Sequence, residues 1–119
     1  MATHNELGEK REILAADFLL KNGYTILEKN WRYVKAEIDI IAQKGTTLVI
    51  VEVKTRSSDF FGDPQDFIKP KKIKLLVMAA NEYVISRDLD VEVRFDIIAI
   101  LLNRKTKKIE HLENAFLYF

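Results

Sequence analysis

At 119 residues the chain is long enough for one domain with a real core, and a single domain over 1–119 is the expectation. Its formal net charge is only +1, so bulk charge gives no support for nucleic-acid binding and leaves that role to a local patch. The absence of cysteine excludes a disulfide framework and a thiolate zinc site. That usage suits a reducing cytoplasm. The opening residues show no signal-peptide pattern and no apolar run nears membrane-spanning length, so a cytoplasmic protein without a membrane partner is expected.

Residues 4–22 read as a first helix. Asn5 is placed to cap it, and Leu7, Leu14, Ala15, Phe18 and Leu19 recur at helical spacing. Asn22-Gly23 ends it, because glycine after a helix permits the left-handed cap. Glu6, Glu9 and Glu12 read first as solvated charge favoured by the helix dipole. Glu9 gains interest only if this helix lies beside other carboxylates.

Tyr24 to Trp31 reads as an edge strand. Trp31 and Tyr33 either cover a sheet face or stack on bases. Ala36 to Ala42 is a second strand, and Lys44-Gly45-Thr46 turns it back on a third, Thr47 to Arg56, as a hairpin. Leu48 to Val51 is aliphatic throughout, the signature of a strand buried on both faces. Glu52 and Lys54 at its far end share one face by alternation, and so should Glu37 and Asp39. Folding the hairpin brings Asp39 toward Glu52 and Lys54. A carboxylate there loses hydration and needs a cation. Glu52 and Lys54 therefore form either a simple ion pair or half of a metal site. Two carboxylates and an ammonium suit a hard divalent cation and a phosphodiester.

The segment from Arg56 to Asp66 is irregular, and Phe60-Phe61-Gly62 reads as a packed loop or a lid. Pro70 opens a helix through about Ser86, with Ile73, Leu76, Val77, Ala80 and Val84 as its buried stripe. Lys69, Lys71, Lys72 and Lys74 crowd its start, where cations oppose the dipole. Phosphate binding and plain solubility are both adequate reasons. Val91 to Leu102 is a further strand, and Ile109 to Leu112 pairs back as a last one. Asp96 is read as the partner of Arg94 in preference to a site acid. His4 and His111 are not spaced as a zinc pair, and there is no phosphate-cradling glycine loop.

The order helix, three strands, helix, strand, with Asp39 followed after a hairpin by Glu52-Val53-Lys54, resembles the PD-(D/E)-x-K nuclease superfamily of restriction endonucleases and Holliday junction resolvases. More closely, the chain is similar to the YraN family of small bacterial proteins over nearly its full length. The matching pieces are Gly8-Glu9, Asn30-Trp31-Arg32, Glu37 to Ala42, Val51 to Arg56, Lys71-Lys72, Arg94-Phe95-Asp96 and Asn114-Ala115-Phe116. Two positions depart from the pattern. Ala36 stands where the family usually has glycine, and Ile38 replaces the superfamily's proline.

The resemblance implies an α/β, restriction-endonuclease-like αβββαβ core with a mixed central sheet flanked by helices. It implies Mg²⁺ or Mn²⁺ held by Asp39, Glu52 and the carbonyl of Val53. Lys54 would orient the attacking water, with Glu9 assisting from the first helix and Glu37 in the outer shell. Arg56, Lys71 and Lys72 would hold phosphates. The implied reaction is phosphodiester hydrolysis in DNA, with branched or damaged DNA as the candidate substrate, and the resolvase likeness allows a homodimer. Two alternatives stay open: a non-catalytic nucleic-acid-binding module with the same fold, and a scaffold in which Glu52 and Lys54 are only an ion pair.

Overall fold

The computed structural model describes residues 4–56 and 68–116, with side chains from residue 10 onward. Helix α1 runs His4–Lys21. Strands β1 (Thr25–Tyr33), β2 (Ala36–Lys44) and β3 (Thr47–Arg56) follow, then helix α2 (Pro70–Ser86) and strands β4 (Glu92–Leu102) and β5 (Lys107–Leu112). The αβββαβ order is present, and β5 extends it. The segment holding Phe60 and Phe61 lies outside the described residues.

α1 buries Ala15, Ala16 and Leu19 and half-buries Leu14 and Phe18, the stripe its spacing dictates. Asn5 falls inside this helix and does not precede it. At the other end Gly23 takes φ +88°. There the Tyr24 N–H donates to Leu19 O (3.0 Å) and the Gly23 N–H to Leu20 O (3.2 Å), closing the helix carbonyls in a Schellman turn.

The strands form one sheet in the order β1-β2-β3-β4-β5. β3 and β4 pair parallel, with α2 in the crossover between them, and the other neighbours pair antiparallel. The central strands are buried on both sides, which accounts for their unbroken aliphatic runs. One face carries Ile40, Ala42, Val49, Val51, Val53, Ile98 and Ile100 under α1. The other carries Ile38, Ile41, Leu48, Ile50, Phe95 and Ile97 under Leu76, Ala79, Ala80 and Tyr83 of α2. Ala79 and Tyr83 thus join the stripe anticipated for α2. Trp31 and Tyr33 stack on each other at this face, and Trp31 meets Tyr83 edge-on at 5.2 Å. They cover the sheet from the β1 edge.

The β2–β3 hairpin closes on Lys44↔Thr47, with Gly45 at φ +60° in its turn. No described helix is long and apolar enough to cross a membrane.

Candidate active site

The site is created by a fault in the sheet. Paired residues of β2 and β3 run back from the hairpin to Ile40↔Val51, and the next two residues are Asp39 and Glu52. On the other side of β2 the pairs Lys29↔Ile40 and Trp31↔Ile38 flank Asn30 and Asp39. Asn30 has φ +51°. Ile38 packs under α2 while Ile40 packs under α1, so the period-2 alternation fails between them, at Asp39. Glu37 and Asp39 nevertheless line one cavity. Across Asn30 the β1–β2 register is kept, and the one register shift between these strands falls between Ile26 and Glu28.

Asp39 turns into the gap and replaces a ladder carbonyl: its Oδ2 accepts the Val53 N–H at 2.8 Å. In a strand the N–H and C=O of one residue point to the same edge, so the Val53 carbonyl faces that gap too. Asp39 and Glu52 are 8 % and 6 % exposed. Burial first, then the charge of Glu52 and a hydrogen bond between the two carboxyls, push Asp39 up to about 7, with the Val53 N–H and Arg11 acting against them. Lys72, from the first turn of α2, donates to Glu52 Oε1 at 2.9 Å. Lys54 lies two residues along β3 from Glu52. Its pKa is lowered by burial, with Glu52 opposing and Lys72 and Arg56 reinforcing the shift.

These groups line a cavity of about 590 Å³ rimmed by Arg11, Lys35, Lys54, Lys69, Lys71 and Lys72. A near-neutral chain thus gathers cations around two buried carboxylates. Glu37 also lines the cavity, with Arg32 Nε 2.7 Å from its Oε2. Arg56 ends β3, where its Nη1 donates to Thr55 O at 2.9 Å. Glu9 lies in α1, and its side chain is outside the described residues.

Arg11 and Lys35 were not singled out by the sequence, and Glu12 was read there only as solvated charge. Arg11 reaches the cavity from α1, and its Nε is buried without a hydrogen-bond partner among the described residues. Glu12 Oε2 accepts from Asn30 Nδ2 at 2.7 Å, which ties α1 to the residue opposite Asp39. Only helical spacing from Glu9 could have signalled it.

Two carboxylates beside open space fit Mg²⁺ or Mn²⁺, since magnesium is commonly bound through one or two carboxylates and keeps several waters. Among the described residues no group of three histidine or acidic side chains forms a metal cluster, so any further protein ligand would be the Val53 carbonyl or a residue outside that set. Burial and, after it, the charge of Glu52 raise Asp39, and a divalent cation bound there would oppose both.

A second polar cluster is structural. The fully buried Asp96 accepts from Arg94 Nε (2.9 Å) and Nη2 (2.8 Å) and from the Asn114 N–H (3.0 Å). His111 Nε2 lies 2.7 Å from Asp96 Oδ2, which requires the ring proton on Nε2. Arg94 Nη2 also donates to Tyr24 Oη at 2.6 Å. Asp96 is thus the partner of Arg94, and the network joins the end of α1 to β4 and β5.

The model of the uncharacterised protein family UPF0102 matches residues 11–100. The chain belongs to this family. UPF0102 is the YraN family of the sequence resemblance. The match begins beyond Glu9 and takes in Glu12, Asp39, Glu52 and Lys54. Among UPF0102 relatives, the chain is 66 % identical over 119 residues to a protein of Flavobacterium psychrophilum, covering all of both chains. It is 60 % identical over 119 residues to one of Christiangramia forsetii, again over all of both. A Parabacteroides distasonis relative is 43 % identical, over 98 % of this chain and 96 % of its own. Among solved structures, the Archaeoglobus fulgidus Holliday junction resolvase Hjc superposes with TM-score 0.52 at 17 % identity, covering 86 % of this chain and 72 % of Hjc. That likeness shows the fold: the chain has the restriction-endonuclease-like α/β architecture that Hjc has.

Proposed function

We propose that this UPF0102 protein is a divalent-metal-dependent nuclease that hydrolyses phosphodiester bonds in DNA. One observation carries the reading. Asp39 and Glu52, both buried, meet where β2 and β3 separate, at the floor of a cation-rimmed cavity. A pair of buried acids to which a single ammonium, Lys72, is paired among the described residues is costly, and its retention beside open space suits a site built for Mg²⁺ or Mn²⁺.

Asp39, Glu52 and the Val53 carbonyl would hold the cation, with Glu37 in the outer shell. Bound there, it would supply an activated water and neutralise charge building on the phosphate. Lys54, on the face of Glu52, orients the attacking water; its burial-lowered pKa makes it a readier proton acceptor than a surface lysine. Arg11, Lys35, Lys71 and Lys72 take the backbone phosphates, and Arg56 extends that track along β3. Glu9, or Glu12 through its hold on Asn30, contributes the helix carboxylate.

The test is calorimetric titration of Mn²⁺ into the wild type and Asp39→Ala, with and without a short duplex. Cleavage of linear, branched and single-stranded DNA is assayed beside it. Binding and cleavage by the wild type that the variant loses are expected. No binding and no cleavage by the wild type in any combination overturns the proposal.

The Lys72–Glu52 pair favours a second reading, a non-catalytic nucleic-acid-binding module, because the ammonium already compensates one carboxylate. Salt-dependent DNA binding that survives Asp39→Ala, with no cleavage by the wild type, would establish it.

A further inference from the structure

The β1–β2 turn holds a residue that neither conformation nor burial explains. Tyr33 pairs with Ala36, leaving Val34 and Lys35 as a two-residue turn. Val34 has φ +57°. The other described non-glycine residues at positive φ are Asn30, Asp88 and Asn114, types that tolerate the left-handed region. A β-branched residue there is strained, and a turn of this kind ordinarily carries glycine, asparagine or aspartate. Val34 also buries nothing in return. At 76 % exposure it is the most exposed large hydrophobic side chain among the described residues.

Its position gives the strain a use. A recess of about 270 Å³ lies against Val34 and Arg32 and shares Lys35, Ala36 and Glu37 with the carboxylate cavity. The tip thus stands beside a recess that shares three lining residues with the cavity of Asp39 and Glu52. It is flanked on one side by the exposed guanidinium of Arg32, whose Nε is paired with Glu37 at 2.7 Å, and on the other by Lys35. An apolar knob between two cations is the shape and charge complement of a base step between two phosphates. Strained residues concentrate where a fixed geometry serves function, and apolar side chains inserted between base steps unstack them.

We infer that the β1–β2 turn is a wedge, with Val34 entering the base stack beside the scissile phosphate while Arg32 and Lys35 hold the flanking phosphates. Its substrate is a nucleic acid with a weakened stacking step, such as the branch point of a junction. A perfectly stacked linear duplex resists the insertion. This rests on the nuclease reading for the placement of the substrate, but not on cleavage.

The experiment measures binding without metal. Wild type, Val34→Gly and Val34→Leu are titrated against a four-way junction and a matched linear duplex, each with 2-aminopurine at the central step. Glycine accepts φ +57° without strain, so Val34→Gly folds and should melt at or above the wild-type temperature. Wild type should brighten the 2-aminopurine of the junction. Val34→Gly should lose that signal and about tenfold in junction affinity, with the linear duplex unchanged, as expected for one lost base contact. Val34→Leu should keep the signal. Equal junction affinity and equal fluorescence for wild type and Val34→Gly overturn the wedge alone. Failure of the wild type to bind either DNA also overturns the wedge, while the nuclease reading is decided by the Mn²⁺ titrations and cleavage assays.

Discussion

The Lys72 ammonium lies 2.9 Å from Glu52 Oε1, joining the first turn of α2 to the buried end of β3. This explains part of a lysine cluster at a helix N-terminus, where the dipole disfavours cations. One of the four lysines at residues 69, 71, 72 and 74 compensates a carboxylate that is 6 % exposed, and the dipole penalty is small beside that. Removing this cation should cost more than removing a surface charge. Lys72→Ala should lower stability by about 1–2 kcal/mol, well below a fully buried pair because the lysine is partly exposed. Adding Mn²⁺ should restore part of the loss. Chemical denaturation with and without Mn²⁺ checks this, and an unchanged midpoint for the variant would contradict it.

Asp39 gives the metal-free protein an unusual pH dependence. Its folded pKa, about 7, stands above the ordinary value of 3.8. The folded state therefore binds this proton more tightly than the unfolded chain. Stability from this group is fully present below about pH 4 and is lost as pH rises toward 7. At about 1.4 kcal/mol per unit the ceiling is about 4 kcal/mol, and relaxation and water entry reduce it to about 1–2 kcal/mol. Asp39→Asn should remove this slope and melt above the wild type at pH 8. Urea unfolding between pH 5 and 8 decides it; parallel curves for the two proteins would sink the idea.

Asp96 acts with the opposite sign. Burial alone would raise its pKa, but hydrogen bonds from His111, Arg94 and the Asn114 N–H outweigh that and hold it below the usual 3.8. Its contribution is present above the unfolded value and is lost as pH falls through the lower folded one. Asp96→Ala should destabilise by about 3–5 kcal/mol, since it strands Arg94 and His111. Any cleavage it loses should follow the folded fraction. Activity measured beside circular dichroism at several temperatures separates lost folding from lost chemistry.

Lys35 and Lys71 should report on phosphate contacts rather than on chemistry. Both line the cavity rim. Each change to alanine should weaken DNA binding at all sequences and lower the slope of log affinity against log salt by about 1. Anisotropy across a salt series tests this. A slope unchanged in both variants would place the DNA elsewhere.

Lys54→Met should separate binding from catalysis. The side chain keeps its apolar stem and loses the amine that orients water in the proposed reaction. Cleavage should fall by at least about 100-fold with DNA affinity within about threefold, the scale of a lost general base. An equal loss in both quantities would make Lys54 a phosphate contact.

The local pattern of the chain determined its element order. Helical spacing marked α1 and α2, Gly23 and Pro70 marked two of their ends, and unbroken aliphatic runs marked β3 and β4 as central strands. These features are carried by neighbours in sequence, where propensity and periodicity act. Asp39, Glu52 and Lys54 were legible for the same reason: charge at the ends of apolar strands is visible without knowing what lies opposite. Tertiary structure alone decided what those charges meet. The bond from Val53 N to Asp39 spans 14 residues and that from Lys72 to Glu52 spans 20. The entry of Arg11, the contact of His111 with Asp96 and the failure of alternation at Asp39 likewise depend on elements meeting across the sheet. A pleat read from one strand assumes a regular partner on either side. The paired ladder from β2 to β3 ends at Ile40↔Val51, so the direction of the Asp39 side chain belongs to the assembled sheet and not to its own segment.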